Sequence, residues 1–200
     1  MPLNWLADGS GHSPDSPLRT LSQWLRRMGV LTISLVCSML LLSCQAQPPA
    51  GLTTQVMRVV SGQTIEVPDP TGQTALNQAV RLIGISAPAW GQEPWSDEAK
   101  AYLADQLSSQ TVLLETDSET VDSYGQQLAY VWKDDVLLNE KLAEEGLVMV
   151  TVRSPNLKYE QRLIHAQQTA RILGRGIWNP ENPMRLTPSE FRQQQESEAP

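Results

Sequence analysis

Cysteine is nearly missing from this chain: Cys37 and Cys44 are its two, and none follows Cys44. No disulfide framework and no Cys-rich metal site can therefore be built in the main body of the protein. Histidine is equally scarce beyond the N-terminal region, where only His165 occurs, set among glutamines in a helical stretch and read as a surface residue. Positive charge is also short, with 15 Lys+Arg against 22 Asp+Glu and a net charge of -7. That balance argues against a strongly basic nucleic-acid binder. No internal repeat is present. The 200 residues allow one ordinary domain with appendages, which excludes a large multidomain enzyme and a miniature held together only by staples.

The long uncharged apolar run, Met28 to Leu42, covers 15 residues directly after Arg26-Arg27 and directly before Ser43-Cys44. It is long enough for a signal-peptide core and short for a membrane span. The string LLSC, Leu41 to Cys44, resembles a bacterial lipobox, in which a peptidase cuts before the cysteine and the thiol carries diacylglycerol. Residues 1–43 are thus expected to be a lipoprotein signal peptide, and Cys44 the lipidation site that tethers the protein to a membrane. The expected location is the bacterial cell envelope, lipid-anchored; a secreted or periplasmic protein and a single-pass anchor are the alternatives. Cleavage before Cys44 would leave 157 residues with a net charge of -8.

Residues 44–50, with Pro48 and Pro49 near their end and Gly51 just beyond, read as a tether. Residues 179–200, rich in proline and glutamine, read as a mostly disordered tail. Between them, residues 51–178 are long enough for one core. Ser61-Gly62 turns between two β-branched stretches whose candidate core residues are Val56, Val59, Ile65 and Val67. A strand is expected over 79–85, with Val80 and Leu82 on one face and Arg81, Ile83 and Ile85 on the other. Apolar spacing predicts a helix over 97–107 capped by Ser96, strands over 111–115 and 127–132, a short helix over 137–145 ending at Gly146, and a last helix over 157–173 ending at Gly174. This order predicts a mainly β, α+β domain: a five-stranded OB-type barrel with three helices.

Several strings then resemble the thermonuclease family, the staphylococcal-nuclease-like domains: VVSGQTIEV, VRLIGISAPA, DSYGQQLAYVW, LLNEKLAEEGLV, RSPN and GRGIW. The family has VxDGDT in its first hairpin, RLxxIDxPE after the third strand and DxYGRxLAY in the fifth. The resemblance implies a metal-assisted phosphodiesterase, in which carboxylates hold Ca²⁺ on a phosphate oxygen, a glutamate helps water attack, and two arginines meet the developing charge.

The motif residues depart from that plan. The metal-binding carboxylate of DGDT falls on Gln63, and its earlier aspartate on Ser61. The aspartate of IDxPE falls on Ser86 and the glutamate on Ala89. Of the two arginines, one is Arg81 and the other falls on Gln126. Neutral oxygens alone bind Ca²⁺ poorly, and an alanine accepts no proton. The expectation is a degenerate domain without cofactor, acting as a binding or structural module. The alternatives are a Ca²⁺-dependent nuclease of DNA or RNA using displaced carboxylates, for which Glu66, Glu93 and Asp122 are candidates, and a nucleic-acid or nucleotide binder in which Tyr124 stacks on a base. Arg81 either holds an anion with its planar fork or pairs with a neighbouring acid.

Charge is uneven along the domain. Residues 51–152 hold 15 acidic and 5 basic side chains, whereas 153–175 hold five basic residues and only Glu160 as acid. The basic helix over 157–173 is therefore a candidate contact for a protein or polyanion partner, or for the domain's own acidic face.

Overall fold

The structure, a computed structural model, describes residues 49–69, 77–107 and 109–198. The leader, Cys44 and most of the tether lie outside the described residues.

The chain first forms β1 (Leu52–Gln55), then a hairpin of β2 (Arg58–Ser61) and β3 (Thr64–Pro68) across the Ser61-Gly62 turn. The close approach explains the glycine: a Cβ on Gly62 would lie 2.6 Å from Ala99 Cβ of helix α1 (Trp95–Leu107), which packs on the hairpin. β4 (Asn77–Leu82) pairs antiparallel with β3, placing Arg81 opposite Thr64. β6 (Thr111–Glu115) pairs antiparallel with β7 (Gln127–Lys133), and β7 runs parallel to β4. β8 (Val136–Leu137) adds to β7, while β5 (Ile85–Ser86) and β9 (Met149–Val150) form a separate two-stranded sheet.

The fold is an α+β domain, but the expected five-stranded OB-type barrel with three helices is not what forms. The ladder runs β1-β6-β7-β4-β3-β2 and stays open, ending at β1 and β2. These two ends are consecutive strands separated only by Val56-Met57, so they follow each other head to tail and cannot face one another across a ladder. The two linking residues are drawn to different neighbours: Val56 N–H donates to the Gln110 carbonyl at 2.9 Å and Met57 N–H to that of Glu66 at 2.8 Å. The described residues also form four α-helices: α1, α2 (Leu138–Glu144), α3 (Glu160–Leu173) and α4 (Pro188–Glu198), with a 3₁₀ turn at Gly176–Trp178. Helix α4 arises inside the segment whose composition reads as a loose tail. Its start is a reciprocal capping box, in which Thr187 N–H donates to Glu190 Oε2 at 2.7 Å and Glu190 N–H to Thr187 Oγ1 at 3.2 Å, with Pro188 at the first helical position.

Val56, Ile65 and Val67 are buried, and Val59 packs partly exposed against them. The core continues through Val80 and Leu82 of β4, Leu103 and Leu107 of α1, and Ala129 to Val131 of β7. Helix α3 buries Leu163, Ala166 and Ala170, but Leu173, the last position of the expected stripe, is largely exposed. The strand expected over 79–85 stops at Leu82, because Gly84 at φ +77° folds the chain back and buries both Ile83 and Ile85.

Two buried asparagines fix the loops around this turn. Asn139, fully buried on α2, accepts the Val131 N–H at 2.9 Å and donates to the Ile83 carbonyl at 2.8 Å. Asn156 accepts the Glu119 N–H at 2.8 Å and donates to the Glu119 carbonyl at 2.9 Å. Both pairs satisfy backbone groups that no ladder reaches.

Candidate functional site

Arg81 lies next to the end of β4, where the parallel partner β7 sets it opposite Leu128. After the Gly84 turn, Ser86 pairs with Met149 of β9 and returns to the same space. Arg81 and Ser86 thereby line one cleft of about 510 Å³. A second wall comes from Glu119 and Asp122, a third from Arg153 and the loop closed by Asn156, and a fourth from Thr187, Ser189 and Arg192 at the start of α4.

The electrostatics of Arg81 reflect this enclosure. Burial pulls its guanidinium below the usual value, Asp122 opposes the shift, and the nearby Arg192 and Arg153 cations add to it. Arg81 makes no ion pair among the described residues. Of the two readings of this arginine, structural pairing therefore lacks a partner in direct contact, although Asp122 faces it across the cleft.

The other motif positions do not converge on Arg81. Gln63 turns its amide oxygen to the Ala87 N–H at 2.6 Å, bracing the loop. Ala89 is buried, its N–H held by Gln92 Oε1 at 3.0 Å. Asp122 Oδ1 accepts the N–H groups of Tyr124 and Gln126, both at 2.9 Å, and so caps the turn in which Gln126 sits. Tyr124 is 88% exposed, yet its phenol lies near enough to Arg81 to act on the guanidinium. Glu66 is held in a two-pronged pair by Arg58, at 2.6 and 3.1 Å, and Glu93 lies in a separate depression beside Trp95. His165 is exposed.

Residues 79–180 match the family described as Staphylococcal nuclease homologue. The chain belongs to that family. It is 39% identical over 132 residues to the Thermonuclease of Staphylococcus hyicus, covering 64% of this chain and 76% of that one. It is 38% identical over 133 residues to the Thermonuclease of Staphylococcus intermedius, covering 64% and 77%. It is also 26% identical over 147 residues to the Staphylococcal nuclease domain-containing protein 1 of Drosophila melanogaster, covering 66% of this chain and 16% of that one.

Within this staphylococcal nuclease homologue, no group of three or more His, Cys, Asp or Glu side chains that could hold a metal ion occurs among the described residues. The donor set does not fit Ca²⁺, which takes six to eight oxygen ligands including carboxylates. The Gln63 oxygen is spent on Ala87, one Asp122 oxygen on two backbone N–H groups, and Ala89 offers no ligand atom. The residues that the family mechanism needs for metal binding and for activating water are lacking.

The basic segment also looks different in three dimensions. Lys158 pairs with buried Glu115 at 2.5 Å, Arg162 pairs with Glu140, and Arg171 stacks over the Trp178 ring at 4.2 Å. Its charges are engaged within the domain. The cleft instead takes Arg153, from the start of that segment, and Arg192, which sequence reading passed over together with Gln92. Gln92 Nε2 donates to the Leu186 carbonyl at 2.7 Å, fastening the loop of Ala89 to the chain entering α4. The local signal for Arg192 was the TPSE string at 187–190, a helix-start pattern that places Ser189 and Arg192 one turn apart on one face. No helix among the described residues is long and apolar enough to cross a membrane.

Proposed function

We propose that this protein is a membrane-tethered family member that recognises an anionic ligand at the Arg81 cleft without hydrolysing phosphodiesters. The observation that carries the reading is the Gln63 to Ala87 hydrogen bond at 2.6 Å. It turns the position of a metal ligand into a brace for the loop, while Arg81 still faces an open, solvent-accessible cleft. A guanidinium held there without a direct acid partner is suited to a phosphate or carboxylate. Cys44, after an apolar run and a small residue, carries the lipid in this reading and holds the domain at the envelope membrane.

The test is cleavage of single- and double-stranded DNA and of RNA by the purified protein with Ca²⁺, Mg²⁺ or Mn²⁺. No turnover is expected under any of these conditions. Metal-dependent cleavage abolished by Arg81→Ala would overturn the non-hydrolysing reading. Mass spectrometry of the membrane fraction checks the tether: a diacylated Cys44 at the mature N-terminus is expected, and an unmodified Cys44 inside an intact leader would refute it.

A further inference from the structure

We propose that Arg153 and Arg192 join Arg81 in a single site for a terminal phosphoryl group, so that helix α4 is part of the binding site. This rests on the anion-recognition reading above and names its ligand chemistry.

Three arginines line the cleft from three separate elements, β4, the loop after β9 and α4, and Arg153 and Arg192 lie near enough to act on the Arg81 guanidinium. None of them makes an ion pair among the described residues, although Arg58, Lys158 and Arg162 all find acids in the same domain. Two carboxylates, Glu119 and Asp122, also line the cleft. Asp122 already spends one oxygen on two backbone N–H groups, and three cations against two carboxylates leave the site net positive in a chain of charge -7. A local surplus of cations without partners, inside an acidic protein, is an arrangement that an anion completes.

Two further groups point the same way. Ser86 is only 8% exposed, lines the cleft, and its hydroxyl has no hydrogen-bond partner among the described residues. Thr187 and Ser189, at the start of α4, bring hydroxyls to the same wall beside the Glu190 carboxylate that caps the helix.

The chemistry selects among anions. A carboxylate offers two oxygens in one plane, which a single arginine fork satisfies. Three arginines on three walls suit a tetrahedral group with three terminal oxygens, which is a phosphate monoester. The cleft of about 510 Å³ exceeds what the phosphoryl group fills, leaving space for the group it esterifies. An internal phosphodiester has only two such oxygens and a lower charge, so an oligonucleotide without terminal phosphate is the poorer match.

The experiment is calorimetric titration of the full-length protein at low ionic strength with inorganic phosphate, glycerol phosphate, citrate and an oligonucleotide lacking terminal phosphates. Glycerol phosphate is expected to bind more tightly than citrate or the oligonucleotide. Arg153→Gln and Arg192→Gln are each expected to weaken it about tenfold or more without altering the melting temperature, since both side chains are exposed. Arg192→Lys is expected to recover part of the loss by restoring the charge but not the fork. Wild-type affinity in both glutamine variants, with Arg81→Gln alone abolishing binding, would overturn the composite site and leave anion recognition intact. Preference for citrate or for the oligonucleotide would overturn the phosphomonoester assignment. Binding of none of the four would overturn both this inference and the anion reading beneath it.

Discussion

The Gln63 amide oxygen accepts the Ala87 N–H at 2.6 Å, tying the turn of the first hairpin to the loop that follows β5. A side chain that the family uses toward a metal is here a structural strut. Replacing it with a shorter carboxylate breaks the strut before it builds a metal site.

Gln63→Asp alone is therefore expected to lose about 0.5–1.5 kcal/mol of stability by denaturant unfolding and to gain no nuclease activity. The combined variant Gln63→Asp, Ser86→Asp, Ala89→Glu, Gln126→Arg is expected to cleave DNA in Ca²⁺. Leaving Ala89 unchanged in that combination should cost about 10²–10⁴ in rate, the usual contribution of a positioned base. An inert fourfold variant that remains folded would show that the loss of function extends beyond these four side chains.

Asn139 satisfies two backbone groups, one on β7 and one in the turn after β4, from a fully buried position. In Asn139→Leu both are orphaned, at about 1–3 kcal/mol for each. A loss of about 2–6 kcal/mol in unfolding free energy, read as a lower denaturant midpoint with an unchanged slope, is the expected result. Near-wild-type stability would mean that the loops find other partners.

Glu115 is 2% exposed and accepts hydrogen bonds from Lys158 Nζ at 2.5 Å, Trp132 Nε1 at 2.8 Å and the Tyr159 hydroxyl at 2.9 Å. Burial on its own would raise the carboxyl, but Lys158, Tyr159 and Trp132 together outweigh it, and the group sits below its ordinary value. A carboxylate depressed in the folded state stabilises it above the unfolded pKa, and that contribution is lost as pH falls through the lower folded value. Unfolding followed from pH 7 downward should thus show stability decaying below about pH 4.5. Glu115→Gln should be less stable at neutral pH and show a flatter acid limb. An identical acid limb in the variant would place the acid sensitivity on other carboxylates.

The capping box of α4 links local stability to the site. Thr187→Ala removes the hydroxyl that meets the Glu190 N–H and the Glu190 carboxylate. The expected outcome is faster amide exchange across 188–198 together with weaker phosphate binding, while exchange in the sheet is unchanged. Glu190 is held below the usual carboxylate range by these bonds from Thr187, so the same fraying is expected in the wild type as acid protonates it. Unaltered exchange in the helix would separate α4 from its cap.

Much of the architecture was legible because its causes are local. The Ser61-Gly62 turn, the apolar spacing of α1 and α3, and the stops at Gly146 and Gly174 each depend on residues within one or two turns of one another. The substitution of Gln63, Ser86, Ala89 and Gln126 at motif positions is likewise a property of short strings, and it alone dictated the loss of the metal-binding and base carboxylates. Even α4 was written locally in TPSE, although the composition of the surrounding residues obscured it.

What needed the tertiary structure is what depends on contacts between distant parts of the chain. No local pattern states that β1 and β2, adjacent in sequence, become the two ends of an open ladder, since that follows from which neighbours Val56 and Met57 reach. The charges of the 153–175 segment counted alike in sequence, yet folding gave Lys158 and Arg162 to acids and left Arg153 at the cleft. By itself the amino-acid sequence determined the first hairpin turn, the stretches of α1 and α3, the family resemblance and the missing carboxylates. Only the packing of β4, the loop after β9 and α4 decided that Arg81, Arg153 and Arg192 share one space, because side chains so far apart in the chain meet only through the geometry of the elements that carry them.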